Sequence, residues 1–243
     1  MIRYEVFSDH FAQRINYLTE VDTRVKMFFV AAAIIIVVSS QRPYAPLIAF
    51  FFSLVLLLGI RIPIRIILLR LAAPLGTAGA VLFMQILFYG MAEGLAHGFL
   101  IMVKVLGAVS LIIFLSMTTP VNKLLNAARW FKAPNTWVEI AILSYRYSFV
   151  LLEDAVTIRN AQKARLGYSS LARSLKSFGE LMGSTVIRTY DRSVAVYESM
   201  MLRGYNGTTR NIVWEEKLRS ADAAAIIIFI TILASLLVLN SLP

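Results

Sequence analysis

Five stretches of this 243-residue chain are almost free of charged residues, and each comes close to the length that a helix needs to cross a bilayer. A membrane-spanning helix requires about 20 predominantly apolar residues. Burying five such runs in a soluble core would take far more polar chain than remains. We therefore predict an all-α membrane protein with about five transmembrane helices. The stretches are Met27–Ser40, Ala45–Ile60, Leu71–Ala92, Gly98–Thr119 and Ala223–Leu242.

Three of these stretches carry features that modify a plain spanning helix. The first is short, so we expect Lys26 to extend it by carrying its ammonium group to the membrane interface. The third contains Pro74 and Gly76, which predict a kink that neighbouring helices can accommodate. The fourth contains Lys104, which lies near enough to an end of its span to reach the interface in the same way.

The basic residues collect on one side of the predicted membrane. The chain has 24 Lys and Arg residues, 14 Asp and Glu residues and a formal net charge of +10. Four bases precede the first span, three lie in the second loop and fifteen lie between residues 120 and 220, which leaves Arg42 and Lys104. Because cytoplasmic loops carry an excess of Lys and Arg, we predict a cytoplasmic N-terminus and an extracytoplasmic C-terminus.

The stretch 120–220 is too long for a loop and too periodic for disorder. Pro120 after two threonines is typical of a helix start, and Asn135 is a suitable N-cap. The pattern predicts three amphipathic helices, at Val121–Phe131, from Asn135 to about Leu166, and at Leu171–Leu202. We predict three parts, with membrane helices in residues 1–119, a cytoplasmic helical module in residues 120–220 and a last membrane helix in residues 221–243.

Gly179 and Gly183 lie four residues apart inside the third of these helices. Small residues at this spacing let two helix backbones approach closely, so the pair predicts a helix crossing. The alternative is that the two glycines are incidental, although each costs helix stability of roughly 1 kcal/mol relative to alanine.

Both long helices of the module end with an arginine close to a glycine. The ends read Ala164-Arg165-Leu166-Gly167 and Leu202-Arg203-Gly204, and each glycine suits a left-handed C-cap. One interpretation is structural, because arginine in a last turn complements the helix dipole. The other is functional, because an exposed guanidinium pairs bidentately with carboxylates in a groove of a soluble partner.

Several classes of function are excluded by what the chain lacks. It has no cysteine and only two histidines, so neither a thiolate nor a histidine-rich metal site is expected. It has no Walker-type phosphate motif and none of the common hydrolase motifs, so we expect no catalytic site and no cofactor in this chain. An autonomous secondary transporter is disfavoured, because no acidic residue lies within a span. We expect no nucleic acid as partner, since the bases face an anionic lipid surface.

Five motifs carry a resemblance to a known family. They are Leu18 to Lys26, Ser116 to Pro120, Ser144 to Asp154, Ala164 to Leu166 and Met201 to Gly207. With them, about residues 15 to 210 resemble the transmembrane coupling component of energy-coupling-factor transporters, and most of all the CbiQ family of cobalt importers. Both arginine motifs depart from the family form Ala-Arg-Gly, since Leu166 replaces the first glycine and Leu202 replaces the second alanine.

The resemblance implies an L-shaped, non-catalytic subunit in a prokaryotic cell (inner) membrane. Its partners would be a substrate-binding membrane S-component and two cytoplasmic ATPase subunits, which would hold the ATP and Mg²⁺. Arg165 and Arg203 would each enter a groove of one ATPase subunit, within contacts that include Ala164, Leu166, Leu202 and Gly204. Crossed coupling helices would pass ATP-driven motion to the membrane helices. The substrate would be cobalt or nickel, and the alternative is a coupling subunit shared by vitamin importers.

Overall fold

The computed structural model describes residues 21–60, 63–205 and 220–241, and this part of the chain is helical with no β-strand. The predicted all-α fold is confirmed for these residues. The N-terminal segment, Arg61, the motif residues 206 and 207 and the end of the last predicted span lie outside the described ranges. The helices are α1 (Thr23–Ser39), α2 (Tyr44–Gly59), α3 (Ile64–Met91), α4 (Glu93–Thr118), α5 (Val121–Trp130), α6 (Asn135–Ala164), α7 (Leu171–Leu202) and α8 (Ser220–Ser241).

Helices α3 and α4 belong to one helical stretch, Ile64–Thr118, that is interrupted at Gly90. The backbone there has φ 80° and ψ 175°, a conformation open to glycine alone. A Cβ atom at Gly94 would lie 2.5 Å from the carbonyl oxygen of Gln85, so the two backbones come very close just after the turn. Glu93 and His97 fall between the third and fourth predicted spans, which places them in a loop; they lie instead in the first turns of α4, because the chain reverses at a single glycine.

The lengths of the apolar helices bear on the membrane prediction. Among the described residues, α3 and α4 are each long and apolar enough to cross a membrane. Helix α2 and the Ala225–Val238 part of α8 are apolar but shorter. Helix α3 begins at Ile64 rather than Leu71, so Arg65 and Arg70 lie on the helix and not in the predicted second loop. The count of five spans stays a prediction.

Backbone contacts divide the chain into two compact units, at Ala127 and again at Glu215. The first unit contains α1 to α4, residues 121–127 of α5, and α8, and its core forms around the buried face of α1, which includes Phe29, Ala33 and Val37. The ring of Phe29 stacks on that of Phe229 in α8, with centroids 4.1 Å apart. Helix α1 thus fastens the C-terminal helix to the rest of the unit.

A buried polar cluster joins three helix ends of this first unit. Asp22 caps α1 by accepting a hydrogen bond from the Arg24 amide at 2.8 Å, and the Asp22 amide donates to Asp222 Oδ1 in α8 at 2.8 Å. The Lys26 ammonium lies 3.5 Å from the carbonyl oxygen of Thr118, at the end of α4. Lys26 is fully buried, so the expectation that it reaches the membrane interface is wrong. The end of α4 provides the polar partner that the interface would otherwise provide. We call Asp22, Lys26, Thr118 and Asp222 the polar junction.

The second unit contains residues 128–130 of α5 and all of α6 and α7, and α6 and α7 pack against each other. Arg192 of α7 pairs with Asp154 of α6 at 3.5 Å, and the Gln162 side chain donates to the Ser177 carbonyl oxygen at 2.8 Å. Helix α7 has the bounds that were predicted. Helix α6 ends two residues early, and its N-cap is Pro134 rather than Asn135. The apolar stripe of α7, which includes Leu175, is exposed over most of its length.

Candidate functional site: two arginine-bearing helix ends

The end of α6 is closed by a Schellman motif. Arg165 is the C-cap, with φ −88° and ψ 16°, and Leu166 follows in the left-handed region with φ 58°. The Leu166 amide donates to the Lys163 carbonyl oxygen at 3.1 Å. The Gly167 amide donates to the Gln162 carbonyl oxygen at 2.9 Å. These two bonds satisfy carbonyl groups that the helix itself leaves without donors.

The end of α7 repeats this geometry. Arg203 is the C-cap, with φ −88° and ψ 10°, and Gly204 follows with φ 78°. The Gly204 amide donates to Met201 and the Tyr205 amide donates to Met200, each at 3.0 Å. Arg165 and Arg203 therefore occupy the same position of the same motif.

The sequence pattern suggested a different register at the first end. Gly167 was expected in the left-handed position, as the counterpart of Gly204, and that expectation is wrong. Leu166 occupies this position, because α6 ends at Ala164 and the residue after the C-cap must turn left-handed. A left-handed conformation costs a non-glycine residue about 1–2 kcal/mol.

Gly167 has a separate reason to be glycine. A Cβ atom there would lie 2.6 Å from Ser177 Oγ, which donates to the Gly167 carbonyl oxygen at 2.9 Å. The Tyr168 hydroxyl donates to Gln162 Oε1 at 2.9 Å. These contacts fasten the turn after Arg165 to helix α7, so the arginine extends from a fixed base.

Both arginine side chains are exposed, and neither makes a hydrogen bond or ion pair within the described ranges. The flanking apolar residues are exposed too, with Leu166 at 68% and Leu202 at 89%. An apolar residue beside an unpaired guanidinium offers a partner both buried apolar area and a bidentate donor. Each end can therefore fill a small groove lined by carboxylates.

Comparison with known proteins shows the family to which this chain belongs. The model of the family CbiQ, described as cobalt transport protein, matches residues 15–213, which is most of the chain. This chain belongs to the CbiQ family. Both arginine ends and the polar junction residues up to Thr118 fall inside the matched range.

Several curated relatives are similar to this chain, and two of the three described here are named CbiQ or CbiMQ. An uncharacterized protein of Methanocaldococcus jannaschii is 32% identical over 209 residues, covering 79% of this chain and 78% of the relative. A cobalt transport protein CbiQ of Rhodobacter capsulatus is 31% identical over 159 residues, covering 63% of this chain and 65% of the relative. A putative fused cobalt transport protein CbiMQ of Methanocorpusculum labreanum is 28% identical over 256 residues, covering 96% of this chain but only 43% of the relative.

The glycine pair of this CbiQ-family chain has no close neighbour among the residues described. No described atom lies within 4 Å of a Cβ built at Gly179 or Gly183. The polar contact of α7 with the end of α6 runs instead through Ser177, which is buried together with Leu181. A crossing at the glycines stays a prediction, and it would involve a surface that α6 does not cover.

The polar junction was missed as a unit by sequence reasoning. Asp22 and Lys26 lie one helical turn apart and Asp222 directly precedes the last apolar run, so each was visible only as a charge next to a span. Their convergence depends on how α1, α4 and α8 pack, which no local pattern encodes. Within the described ranges, no group of three or more His, Asp or Glu residues could hold a metal ion.

Proposed function

We propose that this chain is the non-catalytic transmembrane coupling subunit of an ATP-driven cobalt importer in a prokaryotic cell (inner) membrane. The observation that carries the proposal is the pair of exposed arginine helix ends with one shared geometry, in a chain of the CbiQ family. Relatives are named as cobalt transport proteins. We propose nickel as the alternative ion.

Two ATPase subunits are the partners that fit the arginine ends. The chain has no phosphate-binding motif of its own, so an energy source must come from elsewhere. A pair of identical ATPase subunits presents the same groove twice, and two equivalent arginines can occupy two equivalent grooves. In this proposal Ala164, Arg165 and Leu166 contact one subunit, and Leu202, Arg203 and Gly204 contact the other. ATP and Mg²⁺ bind in the ATPase subunits.

A substrate-binding membrane subunit is the third partner. The relative named as a fusion, CbiMQ, is matched over only 43% of its own length, although the match covers 96% of this chain. The rest of that relative has room for a second component joined to the first. The exposed apolar stripe of α7 is a surface that such a partner or the lipid can cover. It includes Leu175, Phe178, Met182 and Val186, which are 44–69% exposed.

The membrane arrangement that we propose has about five spans, with the N-terminus in the cytoplasm and the C-terminus outside. The fifteen bases between residues 120 and 220 support a cytoplasmic position for α5 to α7. From there α6 and α7 act as coupling helices, since their ends carry the two arginines.

Reconstitution tests the proposal directly. The complex of this chain with its ATPase and S-component partners is placed in proteoliposomes, and ATP-dependent uptake of radioactive cobalt is measured. We expect uptake with the complete complex, and none when this chain is omitted or supplied alone. Uptake by this chain alone, without ATPase subunits, would refute the coupling role and favour an autonomous transporter.

A further inference from the structure

The polar junction of Asp22, Lys26, Thr118 and Asp222 has no part in the contacts proposed above, yet its charged groups are almost entirely buried. Lys26 is 0% exposed, Asp222 is 3% exposed and Asp22 is 6% exposed. Buried charges are costly unless polar partners hold them, and in membrane proteins they mark functional positions. The burial of three such groups at one place calls for an account beyond packing.

Lys26 contacts the C-terminal end of α4. Helix α4 ends at Thr118 because Thr119 precedes Pro120, and a residue before proline is pushed into extended backbone, here φ −136° and ψ 119°. The last carbonyl groups of a helix lack amide donors and carry the negative end of the helix dipole. The Lys26 ammonium lies 3.5 Å from the Thr118 carbonyl oxygen, at the long end of hydrogen-bond distances, so its positive charge faces this negative helix end.

Asp222, in the first turn of α8, binds the start of α1. Its Oδ1 accepts the hydrogen bond from the Asp22 amide at 2.8 Å, across 200 residues of sequence. Asp22 in turn caps α1 through its own carboxylate. Within little more than one turn, α1 therefore contacts both the end of α4 and the start of α8 through polar groups.

These two helix ends lie close in sequence to the points where the chain leaves the first unit and returns to it. The division between the units falls at Ala127, eight residues after Thr119, and at Glu215, seven residues before Asp222. Any force that the second unit exerts along the chain enters the membrane helices at α4 and α8. Both entry points are fastened to α1 by the junction.

We propose that the polar junction is a mechanical coupling point, in which Lys26 and Asp222 hold the end of α4 and the start of α8 to α1. A displacement of the coupling helices then moves the three membrane helices as one block. Without the junction, α4 and α8 respond separately and part of the motion is lost. This inference rests on the coupling function proposed above, and it makes Lys26 and Asp222 positioning residues.

The test uses the complete complex in proteoliposomes with the variants Lys26→Met, Asp222→Ala and Asp222→Asn. Methionine keeps the unbranched stem of lysine without the charge. Asparagine keeps the Oδ1 acceptor that alanine removes, so the two Asp222 variants form a matched pair. Three quantities are measured, namely recovery of the assembled complex, ATP hydrolysis and cobalt taken up per ATP hydrolysed.

We expect assembled Lys26→Met and Asp222→Ala complexes to hydrolyse ATP while uptake per ATP falls about tenfold, within the usual range of coupling free energies. Asp222→Asn should keep most of the coupling. If Lys26→Met yields no complex, the Asp222 pair still decides the question. Uptake per ATP that equals wild type in the assembled variants, or lower recovery with an unchanged ratio, would overturn the inference. Failure of the proposed function is distinguishable, because the wild-type complex would then show no ATP-dependent uptake.

Discussion

Leu166 provides a quantitative test of the local geometry that presents Arg165. Its φ of 58° costs a leucine about 1–2 kcal/mol, and glycine adopts the same backbone without that cost. The leucine side chain is 68% exposed, so its removal sacrifices roughly one third of the 1.5–3 kcal/mol that full burial provides. Replacing leucine by either alanine or glycine removes that contact equally. The comparison of Leu166→Gly with Leu166→Ala therefore isolates the backbone.

We expect Leu166→Gly to stabilise the end of α6 by about 1 kcal/mol relative to Leu166→Ala. Glycine removes the cost of the left-handed backbone, but it also gives the unfolded chain more backbone freedom, and this offsets part of the gain. Hydrogen exchange of the full chain in detergent measures this locally, on peptides that cover Gln162 to Tyr168. A difference of 1 kcal/mol corresponds to exchange that is about fivefold slower in the glycine variant.

The opposite sign would refute this geometry. If α6 continued through Leu166 and Gly167 were the left-handed residue, glycine at position 166 would lie inside the last turn. It would then destabilise the helix by about 0.5–1 kcal/mol relative to alanine. Gly204→Ala is the matched control, because Gly204 has φ 78° and alanine there should accelerate exchange at the end of α7.

Two further predictions concern topology and the glycine pair. The chain has no native cysteine, so a single introduced cysteine reports its own position. Gln41→Cys should react with a membrane-impermeant maleimide on intact cells, while Ser169→Cys should react only after permeabilisation. The reverse pattern would contradict the proposed orientation. Gly183→Leu should not lower the helix content or the thermal stability of the isolated chain, because no described atom lies within 4 Å of its Cβ and leucine is a better helix former than glycine. It should weaken assembly with partners, and normal co-purification would show that the glycines are incidental.

The parts of the fold that follow from local pattern were predictable from sequence. Helix α7 has the expected bounds because Ser170 accepts a hydrogen bond from the Arg173 amide at its start, and Gly204 ends it. The apolar runs likewise lie in helices, since their composition leaves few alternatives. Helix α3 extends seven residues upstream of its apolar run, because Arg65 and Arg70 are compatible with a helix and charge alone does not end one.

Features that depend on tertiary contacts were not predictable. Leu166 occupies a left-handed position that its residue type disfavours, because the contacts of Gly167 with Ser177 determine where the turn lies. Lys26 is buried because the end of α4 comes close to it, 92 residues away in sequence. Periodicity identifies which residues share a helix face, but it does not identify which helix ends meet.

Charge reversal of the two arginines tests the central claim most directly. The double variant Arg165→Glu with Arg203→Glu is compared with Arg159→Glu plus Arg188→Glu, which changes the charge equally at exposed positions inside the same two helices. The affinity of the purified chain for its ATPase subunits is measured in detergent. Loss of about 2 kcal/mol at each independent contact predicts a decrease of about a thousandfold for the C-cap variant. The control should bind nearly as wild type does, and equal affinity of the two double variants would contradict the account.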